Sequence, residues 1–329
     1  MNTYPPDWDT AEEQPIPEQQ EQVPSRRQPA PEPAVYRTAP STVHRGGSGL
    51  SVTALVIAVI ALIVAGAALF FSLRAEEEAE EPPAPPEPVT FQFGDRTLTP
   101  LEGMPLNPYD REAFFVDSRG RVLYEKDGKK AKTGVDVSTY QSDIDWQAVA
   151  ADGIDFAILR LGYRGYTEGG LFMDQKFSQN LQGALEAGLD VGVYFFSQAI
   201  TPEEAEAEAA YILNAVEGYE ITYPIAFDWE TMAPGNNART NGLDGETLTR
   251  CAAAFCEKIE GAGYCPAVYF NQSLGYLHYD LRDLTDYDLW LAEYDSKPDF
   301  YYHFDLWQYS HTGTVAGIEG SVDLDLDLR

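Results

Sequence analysis

From residue 133 to the C-terminus, short apolar runs rich in branched and aromatic residues alternate with longer stretches of helical spacing, and this alternation narrows the fold more than any other feature. Strand-like runs separated by helix-like ones predict an α/β fold with a largely parallel sheet. Eight candidate strands are read: TGVDVS, DFAILRLGY, DVGVYFFS, PIAFDWE, PAVYFN, DLWLAEY, DLWQYS and SVDLDL. Four helix patterns lie between the early ones: DIDWQAVAADG, DQKFSQNLQGALEAG, TPEEAEAEAAYILNAV and DGETLTRCAAAFCEKIEGAG. Thr201 followed by Pro202 opens the third of these, and Asp244 caps the fourth. The last three strands stand too close together for full helices, so a barrel closed by these strands is expected to be irregular there.

The run YPIAFDWE ends in two carboxylates, Asp228 and Glu230, around Trp229. Side chains alternate faces along a strand, so Pro224, Ala226, Asp228 and Glu230 share one side while Ile225, Phe227 and Trp229 form an apolar stripe on the other. That pattern fits a parallel strand with helices behind it and a polar cavity in front, and catalytic groups of β/α barrels sit at such strand ends. Taken alone, the two acids fit the start of a solvated loop equally well. The same alternation directs Asp136 with Gly134 and Ser138, Tyr194 with Gly192, Tyr269 with Ala267, and Gln308 with Ser310. A lone strand Tyr is usually packing and a lone Asp usually a turn; together they make a cluster of acids, phenols and an amide. The connection MAPGNNARTNGLDGE after Glu230 has the Gly, Asn and Pro content of a substrate-facing loop.

The opening GVDVSTYQ followed by IDW, the central FDWE, the VYF and LWLAEY segments and the closing WQYSHTGTVAGIEGSVDLD, in this order over about residues 133 to 329, resemble glycoside hydrolase family 25. These are lysozymes that cut the β-1,4 bond between N-acetylmuramic acid and N-acetylglucosamine. The resemblance implies an irregular β/α barrel of eight strands and about five helices with its site at the carboxyl ends of the strands. It also implies Glu230 as general acid, Asp228 as its electrostatic partner, and Asp136 and Asp323 as further acids of the pocket. Asp325 is a departure, because the family commonly has Asn there. The chemistry agrees, since glycosidic cleavage needs one neutral and one ionised carboxyl. Crowded acids raise the pKa of at least one member, which is expected to keep Glu230 protonated and leave Asp228 ionised in a hydrogen-bonded setting. Tyr194, Tyr269, Trp290 and Gln308 are the candidate sugar contacts, with core packing the equal alternative for the aromatic ones.

Ahead of this region the chain changes character. Residues 1–49 are rich in Pro, Gln and Glu and too poor in apolar residues to offset chain entropy, so a disordered tail is expected. Residues 50–73 carry no charge and are long enough, as a helix, to cross a hydrocarbon core of about 30 Å. The expectation is a transmembrane helix. Arg37, His44 and Arg45 precede it and acids follow Arg74, which favours a cytoplasmic N-terminus and an extracellular barrel in a single-pass protein of the cell membrane. Residues 74–89 form a Glu/Pro-rich spacer, and FFVDSRGRVLYEKDG within 90–132 reads as a β-hairpin placed beneath the barrel or between it and the spacer.

Net charge is −31, and from residue 90 onward 17 basic residues face 40 acidic ones. Nucleic acid is thereby an improbable partner, and peptidoglycan glycan strands must be held by pocket contacts rather than long-range attraction. No CxxC or HExxH spacing occurs, so neither a metal site nor a cofactor is read. Cys251 and Cys256 lie on different faces of one helix, beyond bridging distance. Cys265 can reach one of them, although buried thiols are the favoured reading. Two rival functions remain: a wall-binding pseudoenzyme tethered by the span, and a chitinase-like barrel using an Asp-x-Glu pair. Intact Asp228 and Glu230 favour catalysis over the first, and the ends of the domain do not fit the second.

Overall fold

The computed structural model describes residues 52–77, 89–233 and 235–329. They fall into two compact units, one within Ile16–Thr99 and the other containing Pro100–Arg329. The first unit holds helix α1 (Val52–Glu77) and an antiparallel ribbon of Phe91–Phe93 with Arg96–Leu98. The helix runs on through Arg74 and the first acids, where an extended spacer was expected. Its described side chains are Ile57 and residues 59–70, all exposed. Among the described residues no helix is long and apolar enough to cross a membrane. The expected tail over 1–49 and most of the spacer lie outside the described residues.

In the second unit all eight expected strands form. They are β1 (Lys132–Val137), β2 (Phe156–Arg164), β3 (Asp190–Ser197), β4 (Ile225–Trp229), β5 (Pro266–Asn271), β6 (Asp288–Ala292), β7 (Leu306–Gly313) and β8 (Val322–Asp327). Neighbours from β1 to β7 pair parallel, and β8 runs antiparallel to both β7 and β1, closing the barrel. Leu171–Met173 adds an antiparallel strand beside β2.

The four expected helix patterns become α2 (Trp146–Ala151), α3 (Phe177–Glu186), α4 (Pro202–Val216) and α5 (Gly245–Gly261), and a short α6 (Gln272–Leu277) follows β5. Thr201 accepts from the Glu204 amide and Asp244 from the Thr247 amide, so both caps act as the residue types predict. Phe227 points outward against Phe255 of α5 at 5.3 Å between ring centroids, while Ala226 faces the barrel interior with Phe156, Ile158, Tyr223 and Ala267. Phe156 and Tyr223 stack at 4.4 Å there. Gly134 makes room for this plug, since a Cβ at that position would lie 2.2 Å from the Phe156 ring.

The hairpin reading holds for Phe114–Val116 with Val122–Lys126, and Lys129–Lys130 extends it to three strands. Phe114 meets Trp307 edge-on at 5.3 Å, the Tyr109 hydroxyl donates to the Phe304 carbonyl, and Arg121 pairs with Asp152 and donates to the Thr314 carbonyl. Since Gln308 faces inward, Trp307 and Tyr309 face outward, and the segment covers the side of β7 where the short connections leave no helix. The three cysteines are free. Cys251 and Cys256 are buried as expected, whereas Cys265 is exposed, its sulfur 3.3 Å from Asp288 Oδ2.

Candidate active site

Parallel strands bring their carboxyl ends to one rim, and the reversed β8 brings its beginning to the same rim. That reversal pairs Asp323 with Asp136 and sets Asp325 beside both Gly134 of β1 and Gln308 of β7. Asp228 is the penultimate residue of β4 and Glu230 follows its end. Asp136, Asp228 and Asp325 are buried, while Asp323 and Glu230 are partly open to solvent. The charge of Glu230 reaches Asp228, Asp136 and Asp323 alike. The structure therefore brings together all four acids singled out from the sequence, with Asp325 as a fifth.

Gln308 organises the inner layer. Its Nε2 donates to Asp136 Oδ2 at 2.7 Å, and its Oε1 accepts from the hydroxyls of Tyr269 at 2.9 Å and Tyr294 at 3.0 Å. Trp290 Nε1 donates to Asp325 Oδ1 at 2.9 Å. A hydrogen bond also joins Asp136 to Asp325, raising the first and lowering the second, although burial outweighs it at Asp325. Two carboxyls can share such a bond only if one keeps a proton.

Burial is the first cause of every raised acid pKa here. It lifts Asp136, with Asp325 next, and lifts Asp325 to about 8 and Asp323 to about 9. Asp228 is likewise pushed well above its ordinary value, by burial, then Glu230 and Asp136, against the opposing pull of Arg160. The expectation of an ionised Asp228 in a hydrogen-bonded setting is thus corrected for the free protein: its Oδ1 is buried with no hydrogen-bond partner. Low dielectric surroundings and neighbouring negative charge both favour the proton.

Tyr194 is half-buried and edge-on to Trp290 at 6.3 Å. Tyr269 and Trp290 are buried in the barrel core, edge-on to each other at 4.9 Å. Trp290, only 2% exposed, offers no open ring face to a sugar and acts as a core aromatic and hydrogen-bond donor. Rings open at the rim are Tyr140 and Tyr294, neither singled out from the sequence.

Arg160 was also missed. It lies on β2 in phase with inward-facing Ile158, is buried, and is fixed by Asp174 through Nε at 2.8 Å and Nη2 at 2.7 Å. The rings of Tyr140 and Tyr163 flank the guanidinium. The legible signal was an Arg inside the apolar run DFAILRLGY. Among the described residues no group of three or more His, Cys, Asp or Glu side chains is disposed to hold a metal ion.

A family model described as glycosyl hydrolases family 25 matches residues 135–318. The autolytic lysozyme of Clostridium acetobutylicum is 29% identical over 195 residues, covering 58% of this chain and 54% of that protein. Lysozyme M1 of Streptomyces globisporus is 27% identical over 203 residues, covering 58% and 65% respectively. A solved family 25 glycosyl hydrolase from Bacillus anthracis superposes with a TM-score of 0.52 at 25% identity, covering 63% of this chain and 93% of that one. This chain spans about half the length of the clostridial relative.

Proposed function

Because the chain belongs to glycosyl hydrolases family 25, we propose that it is a muramidase hydrolysing the β-1,4 bond between N-acetylmuramic acid and N-acetylglucosamine in peptidoglycan. The observation that carries this reading is the convergence of Asp136, Asp228, Glu230 and Asp323 at one end of the barrel. In the proposed reaction Glu230 gives its proton to the leaving oxygen as the glycosidic bond breaks. The carbonyl oxygen of the sugar's own 2-acetamido group attacks the anomeric carbon, and water later opens that ring while returning a proton to Glu230. Net retention results.

Asp228, beside Glu230 at the rim, is the group proposed to receive the acetamido N–H and to support the positive charge that develops. Positive charge on the substrate and the nearby Arg160 both favour ionisation of Asp228, reversing the preference of the free protein. Asp228 is poorly placed as an inverting base, because it approaches from the same strand as Glu230 rather than the opposite ring face. Asp136, bonded to Gln308 and Asp325, is the less favoured water-activating base, as is Asp323.

We place the barrel outside the cell, held by residues 50–73 as a single membrane span with a cytoplasmic N-terminus. The support is the uncharged run itself and the basic residues before it. The test of the reaction is mass analysis of fragments from digested peptidoglycan, with proton NMR of the new reducing end recorded before mutarotation. Fragments ending in reducing N-acetylmuramic acid, formed first as the β-anomer, are expected. An initial α-anomer rejects substrate assistance, and intact glycan rejects the muramidase in favour of a wall-binding pseudoenzyme. Chitin in place of peptidoglycan serves as the control for a chitinase-like activity.

A further inference from the structure

The ladder between β4 and β3 ends at Trp229 and Ser197, so Glu230 stands just past the sheet. The residue after Ser197 reaches across to it. Gln198 is wholly buried, and its Nε2 donates to the Ser197 carbonyl at 2.9 Å and, at the long end of hydrogen bonding, to the Glu230 carbonyl at 3.4 Å. Its Oε1 accepts from the Thr240 hydroxyl at 2.8 Å, and Thr240 is buried as well. A primary amide in such a place holds its geometry firmly, because a buried donor or acceptor left unpaired is costly.

Arg239 adds a second attachment beside the first. Its guanidinium grips Glu204 of α4 at 2.9 and 2.6 Å and reaches the Gln198 carbonyl at 3.4 Å, and its backbone amide donates to the Tyr166 carbonyl at 2.8 Å. Glu204 in turn accepts from the Ile200 amide at 3.0 Å. Gly169 leaves room for the guanidinium, since a Cβ there would lie 2.7 Å from Nη1. Glu230 and the Arg239–Thr240 pair are thereby fastened to the same short stretch, 197–200.

We propose that Gln198 and Thr240 are positioning residues that set the Glu230 carboxyl relative to Asp228; this rests on the reading of Glu230 as proton donor. Neither side chain is assigned any contact with the sugar. A proton donor displaced by about 1 Å can lose on the order of 10²-fold in rate, and the loss falls on kcat because ground-state binding is not involved.

The test compares Thr240→Val, which keeps shape and removes the hydroxyl, with Thr240→Ser, which keeps the hydroxyl, in the full chain. Reducing-sugar release from peptidoglycan and hydrogen–deuterium exchange of peptides covering 230–244 are measured on each. For Thr240→Val a kcat lower by roughly tenfold or more, KM within about twofold of wild type and faster exchange are expected. Thr240→Ser is expected to restore all three. Wild-type kcat or unchanged exchange in Thr240→Val overturns the proposal, as does a loss that falls on KM or that Thr240→Ser fails to rescue. If the wild-type chain releases no sugar, the muramidase reading fails instead, and the positioning role falls with it whatever the exchange shows.

Discussion

Asp325→Asn is expected to stabilise the barrel in a pH-dependent way. Burial moves the Asp325 carboxyl from an ordinary 3.8 to about 8, so at pH 7 the unfolded chain releases a proton that the fold retains. At about 1.36 kcal/mol per pH unit, the cost at pH 7 is ~4 kcal/mol. The raised value means that stability from this group is full below pH 4, falls as pH rises, and levels off above about pH 8. An amide removes the titration while its oxygen still accepts from Trp290 Nε1. Changes within one hydrogen-bonded cluster do not add, and the amide NH2 needs a buried partner that the protonated carboxyl did not, so about 2 kcal/mol at pH 7 is the working expectation. For a unit of roughly 200 residues that corresponds to about 4–8 °C in Tm. Thermal unfolding of both proteins by circular dichroism from pH 4 to pH 8 reads it. The difference should be near zero at pH 4 and grow towards pH 8. An equal shift at both ends of the range, or no gain at pH 7, refutes the shared-proton account.

Glu230→Gln should fold normally and retain less than about a hundredth of wild-type turnover, as expected for loss of a general acid worth roughly 10²- to 10⁴-fold. Gly134→Ala should cost about 1–3 kcal/mol in urea unfolding, because its methyl meets the Phe156 ring at 2.2 Å; an unchanged midpoint would show that the ring yields freely. Protease added to intact cells or wall-stripped protoplasts should remove the barrel, and a barrel protected until the membrane is lysed would reject the proposed orientation.

The strands were legible because each combines branched or aromatic residues with strict alternation, and FDWE shows why this also revealed the acids. With Phe227 committed to α5, period two leaves Asp228 no face but the interior. Direction of pairing was less legible: SVDLDL reads as a strand either way, and only the structure shows that it runs antiparallel and so brings Asp323 opposite Asp136. The state of Asp228 was misjudged because burial depends on what surrounds a residue in space, and its nearest cation, Arg160, is 68 positions away in the chain. Trp290 was ambiguous for the same reason, as an inward-facing indole can line a groove or fill a core.

The family match spans 135–318, yet the barrel closes through β8 beyond it, and Trp307 and Tyr309 rely on a hairpin before it for cover. Homology limits and folding limits therefore differ at both ends. An expression fragment cut to the matched region would lose Asp323 and Asp325 and the strand that pairs with β1. One extended to the C-terminus but starting at 133 would keep every acid and still expose two large aromatic rings on β7. Such a fragment would invite aggregation and could be mistaken for an inactive enzyme, so the minimal unit to express begins at Pro100.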